Sequence, residues 1–307
     1  MEPQEAKGGT LYVVSTPIGN YRDVTQRARD ILESADIIAA EDTRRTLALL
    51  RNLGIRGRGL FSNHKFNEYA KARYFIDDLL AGKSVAIVTD AGTPCISDPG
   101  NDLIRAAAER GIPVRPVPGC CAAVAALSVC GFDLRTFAFY GFFPRDTGGK
   151  TKLLKELLSG GGPRTAVFYE SPKRILETVR FFTEAAPEVR LCLCNDLTKF
   201  YEYSYRGTPA EVLEELTARG AWEKGEYVLV AEFPPAKKEE DPEGLSPEAL
   251  LTEQMVRRGC TVKEAIRFQL AEEGNPWSKN RLYQAGLKLR DLFGGSEDGE
   301  EAAEESP

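Results

Sequence analysis

The segment VAIVTDAGTPCISDPG, residues 85–100, decides how this chain folds. Its apolar first part has the composition of a buried strand, which ends at Asp90. Two glycines and two prolines then shape the loop DAGTPCISDPG, residues 90–100. Loops at the carboxyl ends of strands in α/β sheets bind ligands, because their backbone groups point into the crevice between strands. The segment therefore predicts a strand that leads directly into a ligand-binding loop.

Strands and helices alternate on both sides of this segment. The predicted strands are Leu11–Ser15, Ile37–Ala40, Ser84–Thr89, Pro113–Pro116, Ala138–Gly141, Thr165–Tyr169, Arg190–Asp196 and Tyr227–Glu232. The predicted helices are Thr25–Ala35, one beginning at Asp42/Thr43, Asn101–Arg110, Lys150–Leu158, Pro172–Ala185 and Pro209–Arg219. This alternation is typical of an α/β fold with a largely parallel first sheet. It predicts one α/β domain over residues 9–117 and a second over 118–235, with GFFPRDTGGK (141–150) as a mobile loop.

The composition changes after Pro235. A charged linker that contains proline covers residues 234–244, and three short helices follow at Ser246–Met255, Thr261–Glu273 and Ser278–Leu292. Their spacing suits a small all-α, helix-turn-helix-like module over 246–293, which would bind RNA or serve only as a packing element. Residues 294–307 hold six acidic residues and no basic one, so we expect a disordered acidic tail.

Composition excludes several classes of protein. No apolar run reaches the length of a membrane span, and the amino-terminal sequence has no signal-peptide pattern, so we expect a cytoplasmic protein that does not bind membranes. Seven scattered cysteines without a CxxC pair, and a single histidine, do not indicate a metal site. The missing GxGxxG and GxxxxGK[ST] patterns exclude an ordinary dinucleotide site and a P-loop.

The net charge of −6 conceals two basic segments. Residues 41–75 hold eight Lys/Arg against three Asp/Glu, and residues 257–290 hold the same numbers. Local positive potential of this kind is what phosphate contacts require, although both segments could also be ordinary solvated helix faces.

Further motifs follow the predicted strands. They are TPIGN (16–20), AAEDTRRT (39–46), SNHKFNE (62–68), PGCCAA (118–123), FYESPKR (168–174) and NDLTKFYE (195–202). The acids and arginines of AAEDTRRT form either a structural ion network or one wall of a substrate cleft. His64 is the sole histidine, and a lone histidine is more often structural than catalytic.

Taken in order, these motifs, together with DAGTPCISDPG and KGEYVLV, resemble the bacterial 16S rRNA (cytidine-2′-O)-methyltransferase family. This family is a branch of the tetrapyrrole-methylase superfamily, the class III methyltransferases. The resemblance covers about residues 9–233, and the helices at 246–292 are similar to that family's carboxyl-terminal extension. It implies a class III methyltransferase-like fold, with S-adenosylmethionine in a cleft between two α/β domains, and a homodimer. The implied partner is 16S rRNA in the small ribosomal subunit, methylated on a cytidine ribose.

The resemblance also implies which residues contact the cofactor. They are Pro17, Asp90, Ala91, Gly92, Thr93, Ile96, Cys121, Ala122 and Tyr169. Because a ribose hydroxyl is a poor nucleophile, transfer to it profits from a base and from a cation near the oxygen. The candidates are Glu41 or Asp42 as base or orienter, Lys199 as cation, Glu202 or Glu170 as support, and His64 as a further base.

Two other functions are compatible with parts of the sequence. A methyltransferase of the same superfamily acting on a corrin-type ring would need neither the basic segments nor the helical module. A non-catalytic nucleic-acid-binding protein would not need the ordered loop at 90–100.

Overall fold

The computed structural model describes residues 9–56, 59–63, 68–160, 162–235, 245–272, 275 and 277–293, with residues 68–71 and 293 described by their backbone only. His64, most of the predicted linker and the acidic tail lie outside the described residues. The chain divides into two compact units, Met1–Ala236 and Lys237–Pro307.

The first unit begins with a parallel sheet. Its strands are β1 (Leu11–Val14), β2 (Ile37–Ala40), β3 (Leu60–Ser62), β4 (Val85–Val88) and β5 (Val114–Val117). They lie in the order β3-β2-β4-β1-β5, and every pairing is parallel. Strands β1 and β4 are therefore central and adjacent, and their carboxyl ends open at the same edge of the sheet.

Helices cover both faces of this sheet. They are α1 (Gln26–Ser34), α2 (Thr43–Asn52), α3 (Glu68–Leu80) and α4 (Asn101–Glu109). Helices α1 and α2 pack on one face with Ile38 and Val88, whereas α3 and α4 pack on the other with Ile37 and Ile87. Successive strand residues are thus buried on opposite faces, which explains why these strands are apolar without alternation.

The second sheet is mixed. Its strands are β6 (Phe137–Phe142), β7 (Thr165–Glu170), β8 (Arg190–Asn195), β9 (Tyr203–Gly207) and β10 (Tyr227–Glu232), in the order β6-β7-β10-β8-β9. Only the β6–β7 pairing is parallel among these strands. One face is covered by α6 (Thr147–Leu158), α7 (Pro172–Ala185) and α8 (Pro209–Arg219), and the other by α5 (Ala122–Cys130).

The second unit consists of three described helices, α9 (Pro247–Arg258), α10 (Val262–Ala271) and α11 (Lys279–Phe293). Leu251, Ile266, Trp277 and Leu282 form part of its own apolar core. Gly286 lets α10 and α11 approach closely, because a Cβ built there would lie 2.8 Å from Ile266 Cδ1.

Each predicted strand is present, with ends shifted by at most one residue. Sequence patterns missed β3, β9, α3 and α5. Helix α5 is apolar on all sides, so it shows no amphipathic period. The mobile loop predicted at 141–150 is wrong over much of its length, because β6 extends to Phe142 and α6 begins at Thr147. The Asp146 side chain accepts a hydrogen bond of 2.7 Å from Gly149 N and so caps α6 earlier than predicted.

Candidate functional site

A cleft with a volume of about 410 Å³ opens between the two sheets of the first unit. It is lined by Ile18, Glu41, Arg45, Asp90, Ala91, Gly92, Thr93, Ile96, Ser97, Asp98, Cys121, Ala122, Phe142, Tyr169, Glu170, Ser171, Pro172, Leu197, Glu226, Tyr227 and Val228. The first-sheet residues follow the carboxyl ends of β1, β2 and β4, as expected for a ligand site in an α/β sheet.

The loop after β4, residues 90–100, is fixed to the loop after β1 by backbone hydrogen bonds. Thr16 N donates to Gly92 O at 2.8 Å, and Gly92 N donates to Thr16 O at 3.1 Å. The Thr93 hydroxyl donates to Cys120 O at 2.9 Å and also lies 2.9 Å from Ser15 Oγ. These bonds connect β1, the 90–100 loop and the start of α5, so the cleft floor is held from three directions.

The same loop holds non-glycine residues in the left-handed backbone region. Cys95 has φ +71° and Ser97 has φ +76°, a conformation that is costly for residues with a side chain. Such backbone strain persists where the surrounding structure fixes a particular shape, and here it presents Ile96, Ser97 and Asp98 to the cleft.

Three carboxyl groups line the first-sheet side of the cleft: Glu41, Asp90 and Asp98. Glu41 Oε2 accepts a hydrogen bond from Asp90 N at 3.3 Å, and Asp90 Oδ2 lies 3.3 Å from Arg45 Nη1. Asp90 Oδ1 is buried and accepts no hydrogen bond of normal geometry from the described residues. The cluster therefore offers a negatively charged wall with at least one acceptor left for a ligand.

Burial controls the ionisation of these groups. It raises the pKa of Glu41 and of Asp90 above their ordinary values. Burial and then the like charges of Glu41 and Asp90 raise the pKa of Asp98 to about 6. Asp98 thus stays ionised at neutral pH but binds a proton more readily than an exposed aspartate.

Of the predicted cofactor contacts, Asp90, Ala91, Gly92, Thr93, Ile96, Cys121, Ala122 and Tyr169 line this one cleft. Pro17 does not line it, but the next residue, Ile18, does. These positions span both sheets and are separated by up to about half of the chain. The fold brings them together, whereas their roles stay predictions.

The predicted catalytic residues lie in different places. Glu41 lines the cleft, whereas Asp42 caps α2 and is paired with Arg44 at 2.7 Å. Hydrogen bonds from Arg44 hold the pKa of Asp42 well below its usual range. His64 lies outside the described residues.

The remaining candidates are engaged in contacts within the protein. Lys199 Nζ donates to Asp196 Oδ1 at 2.6 Å and to Glu226 Oε2 at 2.9 Å, and of these residues Glu226 lines the cleft. Glu202 accepts a 2.6 Å hydrogen bond from Thr198 N. The buried Glu170 carboxylate accepts bonds from Ser171 N, Arg174 and Thr178, so it holds the start of α7.

Sequence reasoning missed Asp98 and Glu226 as cleft residues, and it left open whether Arg45 lines a cleft or joins a structural ion network. Asp98 and Arg45 both belong to motifs that were singled out, so each motif already carried the signal. Glu226 precedes β10, and only the pairing of β10 between β7 and β8 brings it to the cleft. Glu226 also belongs to the quoted motif KGEYVLV, but the motif alone does not show which residues lie near it.

The comparisons with known proteins agree with this architecture. The family described as Tetrapyrrole (Corrin/Porphyrin) Methylases matches residues 10–213. The solved structure of diphthine synthase superposes with a TM-score of 0.58 at 11% identity, covering 73% of this chain and 90% of that one. Cobalt precorrin-4 methyltransferase gives a TM-score of 0.52 at 17% identity, covering 73% and 94%. The two structures support the fold alone, and they confirm the predicted class III methyltransferase-like α/β fold.

Sequence relatives are more specific. The chain is 40% identical over 281 residues to ribosomal RNA small subunit methyltransferase I of Escherichia coli O157:H7, covering 91% of this chain and 95% of the relative. It is 41% identical over 271 residues to the protein of that name from Halalkalibacterium halodurans, covering 87% and 92%. The chain therefore belongs to the ribosomal RNA small subunit methyltransferase I group within the tetrapyrrole methylases. The resemblance found in the sequence motifs is confirmed. In the described part of the chain, no helix is long and apolar enough to cross a membrane.

Proposed function

We propose that this protein transfers the methyl group of S-adenosylmethionine to the ribose 2′-hydroxyl of a cytidine in small-subunit (16S) ribosomal RNA. The observation that carries the proposal is the similarity, over about nine-tenths of the chain, to relatives named as small-subunit rRNA methyltransferases. The cleft supports it, because residues from seven separate motifs line that one cleft.

The described cleft fits S-adenosylmethionine in size and charge. A volume of about 410 Å³ lies within the range of small-molecule sites. The cofactor carries a sulfonium and an ammonium group, both cationic, and the Glu41–Asp90–Asp98 wall is anionic. The unpartnered Asp90 Oδ1 is an acceptor that a cationic donor would satisfy. Gly92 leaves room for a ligand to approach the backbone.

The cleft residues have different roles in the proposed methyl transfer. S-adenosylmethionine supplies an activated methyl group, so the protein has to align the acceptor oxygen and remove its proton. Glu41 and Asp90 hold positive charge in the cleft, and the backbone of residues 91–93 forms its floor. Asp98 takes the hydroxyl proton, because it lines the cleft, is ionised at neutral pH and is more basic than an ordinary aspartate.

The structure suggests a positioning role for Lys199. Its ammonium lies between Asp196 and Glu226 and so fixes the 195–202 loop against the cleft wall. A Cβ built on Gly19 would lie 2.5 Å from Lys199 Cγ, so the aliphatic stem also packs on the loop after β1. Lys199 thus acts on the shape of the cleft through Glu226.

The proposed partners are the assembled small ribosomal subunit and a second copy of this chain. The basic residues of 41–75 and of the helical unit would contact phosphates. A homodimer is the arrangement that the family resemblance implies.

The test is to incubate the protein with S-adenosylmethionine labelled in its methyl group and small-subunit particles that lack the modification. We expect label in one cytidine, at its 2′-oxygen, located by nuclease digestion and mass spectrometry. Protein-free 16S rRNA and a tetrapyrrole serve as parallel substrates. Label in the tetrapyrrole alone would contradict the proposal, and label in both RNA samples would show that assembly is not required.

A further inference from the structure

The loop that follows β8 exposes two neighbouring aromatic side chains. Phe200 is 93% exposed and Tyr201 is 78% exposed. Among the large apolar side chains of the described residues, only Val256, at 80%, has an exposure that lies between these two values. Their ring centroids are 4.9 Å apart with an interplanar angle of 89°. Because large apolar surface in water is unfavourable, an adjacent exposed pair calls for a partner that covers it.

This loop is held in a defined shape. Asp196 and Thr198 adopt φ +50° and φ +65°, and Lys199 N donates to Asp196 O at 3.0 Å. Thr198 N is bonded to the Glu202 carboxylate, and Lys199 is paired with Asp196 and Glu226 as described above. The aromatic rings therefore extend from a backbone that is already ordered, which reduces the entropy lost when a partner binds.

The same loop reaches the cleft. Leu197 lines it, and Phe200 follows only three residues later, within about 11 Å of chain at full extension. On the neighbouring loop after β1, which Lys199 touches at Gly19, the Tyr21 side chain is 48% exposed. A substrate that enters the cleft with a polymer on either side would have to pass close to these rings.

We propose that Phe200 and Tyr201 form a stacking platform for unpaired bases of the RNA next to the methylated nucleotide. This inference rests on the proposed function. A ribose hydroxyl reaches the cleft only when its nucleotide leaves a regular helix, so neighbouring bases are unstacked. Unstacked RNA bases are recognised largely by aromatic side chains, and stacking tolerates any base. The two rings are perpendicular, so they do not form the broad flat apolar patch that would suit a protein partner better.

The experiment compares Phe200→Ala/Tyr201→Ala with wild type on unmodified small-subunit particles. We expect KM for the particles to rise about tenfold or more, with kcat changed less than threefold. RNA affinity, measured by filter binding with saturating S-adenosylhomocysteine, should fall by the same factor. The dissociation constant for S-adenosylmethionine should stay within twofold. Phe200→Trp keeps an aromatic face, so its KM and RNA affinity should remain near the wild-type values.

Leu80→Ala is the matched control, because Leu80 is 59% exposed on α3, well separated from this loop in sequence. Unchanged KM and RNA affinity in the double variant would overturn the stacking role. The stacking role would also be overturned if wild type sediments as a dimer and the double variant as a monomer, because the rings would then contact a second copy of the chain. If the wild-type protein methylates no RNA, the proposed function is wrong. The comparison of RNA affinity between wild type and the double variant still tests whether Phe200 and Tyr201 bind RNA.

Discussion

Asp98 is the residue whose environment bears most directly on the proposed chemistry. It is partly buried, and Glu41 and Asp90 face it on the same cleft wall, with Arg45 paired to Asp90. Tyr169, Glu170 and Glu226 line the opposite side. Since burial and like charges raise its pKa to about 6, a small change in pH or in bound charge alters its protonation.

We therefore expect the rate of methyl transfer to depend on pH through the ionisation of Asp98. A base acts when ionised, so the single-turnover rate should rise with pH through about 6 and then level off. Bound positive charge stabilises the carboxylate, which lowers this midpoint when the cofactor is saturating. Asp98→Asn should lower the rate on the order of a hundredfold and remove the rise with pH, the acidic limb of the profile. Glu41→Gln is the comparison, and it should weaken cofactor binding while keeping the limb. A limb that persists in Asp98→Asn would assign the proton to another group.

Gly92 permits the close approach of a ligand to the cleft floor. It has φ +84°, and a Cβ there would already lie 3.4 Å from Ile18 Cγ2. Gly92→Val should weaken S-adenosylmethionine binding tenfold or more, as measured by calorimetry. Gly54→Val is a matched control, because Gly54 has φ +71° with nothing within 4 Å of its Cβ position. Both variants carry the backbone penalty, so equal cofactor affinity in the two would move the binding site elsewhere.

Among the elements, α8 illustrates how local sequence sets a helix boundary. Thr208 Oγ1 accepts from Glu211 N at 3.3 Å, and Glu211 Oε2 accepts from Thr208 N at 2.7 Å, which completes a capping box before Pro209. Thr208→Ala should lower the free energy of unfolding by about 1 kcal/mol, measured with urea. Thr217→Ala near the end of the same helix removes a hydroxyl that, within the described chain, donates to Leu213 O, so it should cost less. If both variants lose the same free energy of unfolding, the capping box contributes no more to stability than the Thr217 hydroxyl does.

At the scale of the whole molecule, the two compact units divide the proposed work. All residues of the cleft belong to the first unit, and the helical unit has an apolar core of its own. Truncation after Pro235 should therefore keep the affinity for S-adenosylmethionine within about twofold. Affinity for small-subunit RNA should fall, and its salt dependence should become shallower because fewer phosphates are neutralised.

Far-ultraviolet circular dichroism would establish that the truncated protein is folded before affinities are compared. The same RNA affinity and the same salt slope as the full chain would limit the helical unit to a structural role. A loss of cofactor binding together with retained helix and strand signal would show instead that the helical unit supports the cleft.

The sequence by itself determined the family and most of the local structure. Strand Ile37–Ala40 is a continuous apolar run and Tyr227–Glu232 is apolar up to its last residue. Helix starts such as Asp42 and Thr208 carry their own caps, so neighbouring residues are enough to predict these elements. The 90–100 loop is predicted to bind a ligand because its prolines fix φ and its glycines permit positive φ, wherever the loop lies.

Only the tertiary structure decided strand order, the antiparallel pairings of the second sheet and the membership of the cleft. These depend on contacts between residues far apart in sequence, such as Ile18 with Gly92 or Asp90 with Arg45. It also showed that Lys199 is held by Asp196 and Glu226, and that Asp98 is partly buried beside two other carboxyl groups. A side chain's pKa and its partners are properties of its surroundings in space, and residue order along a single chain does not specify those surroundings.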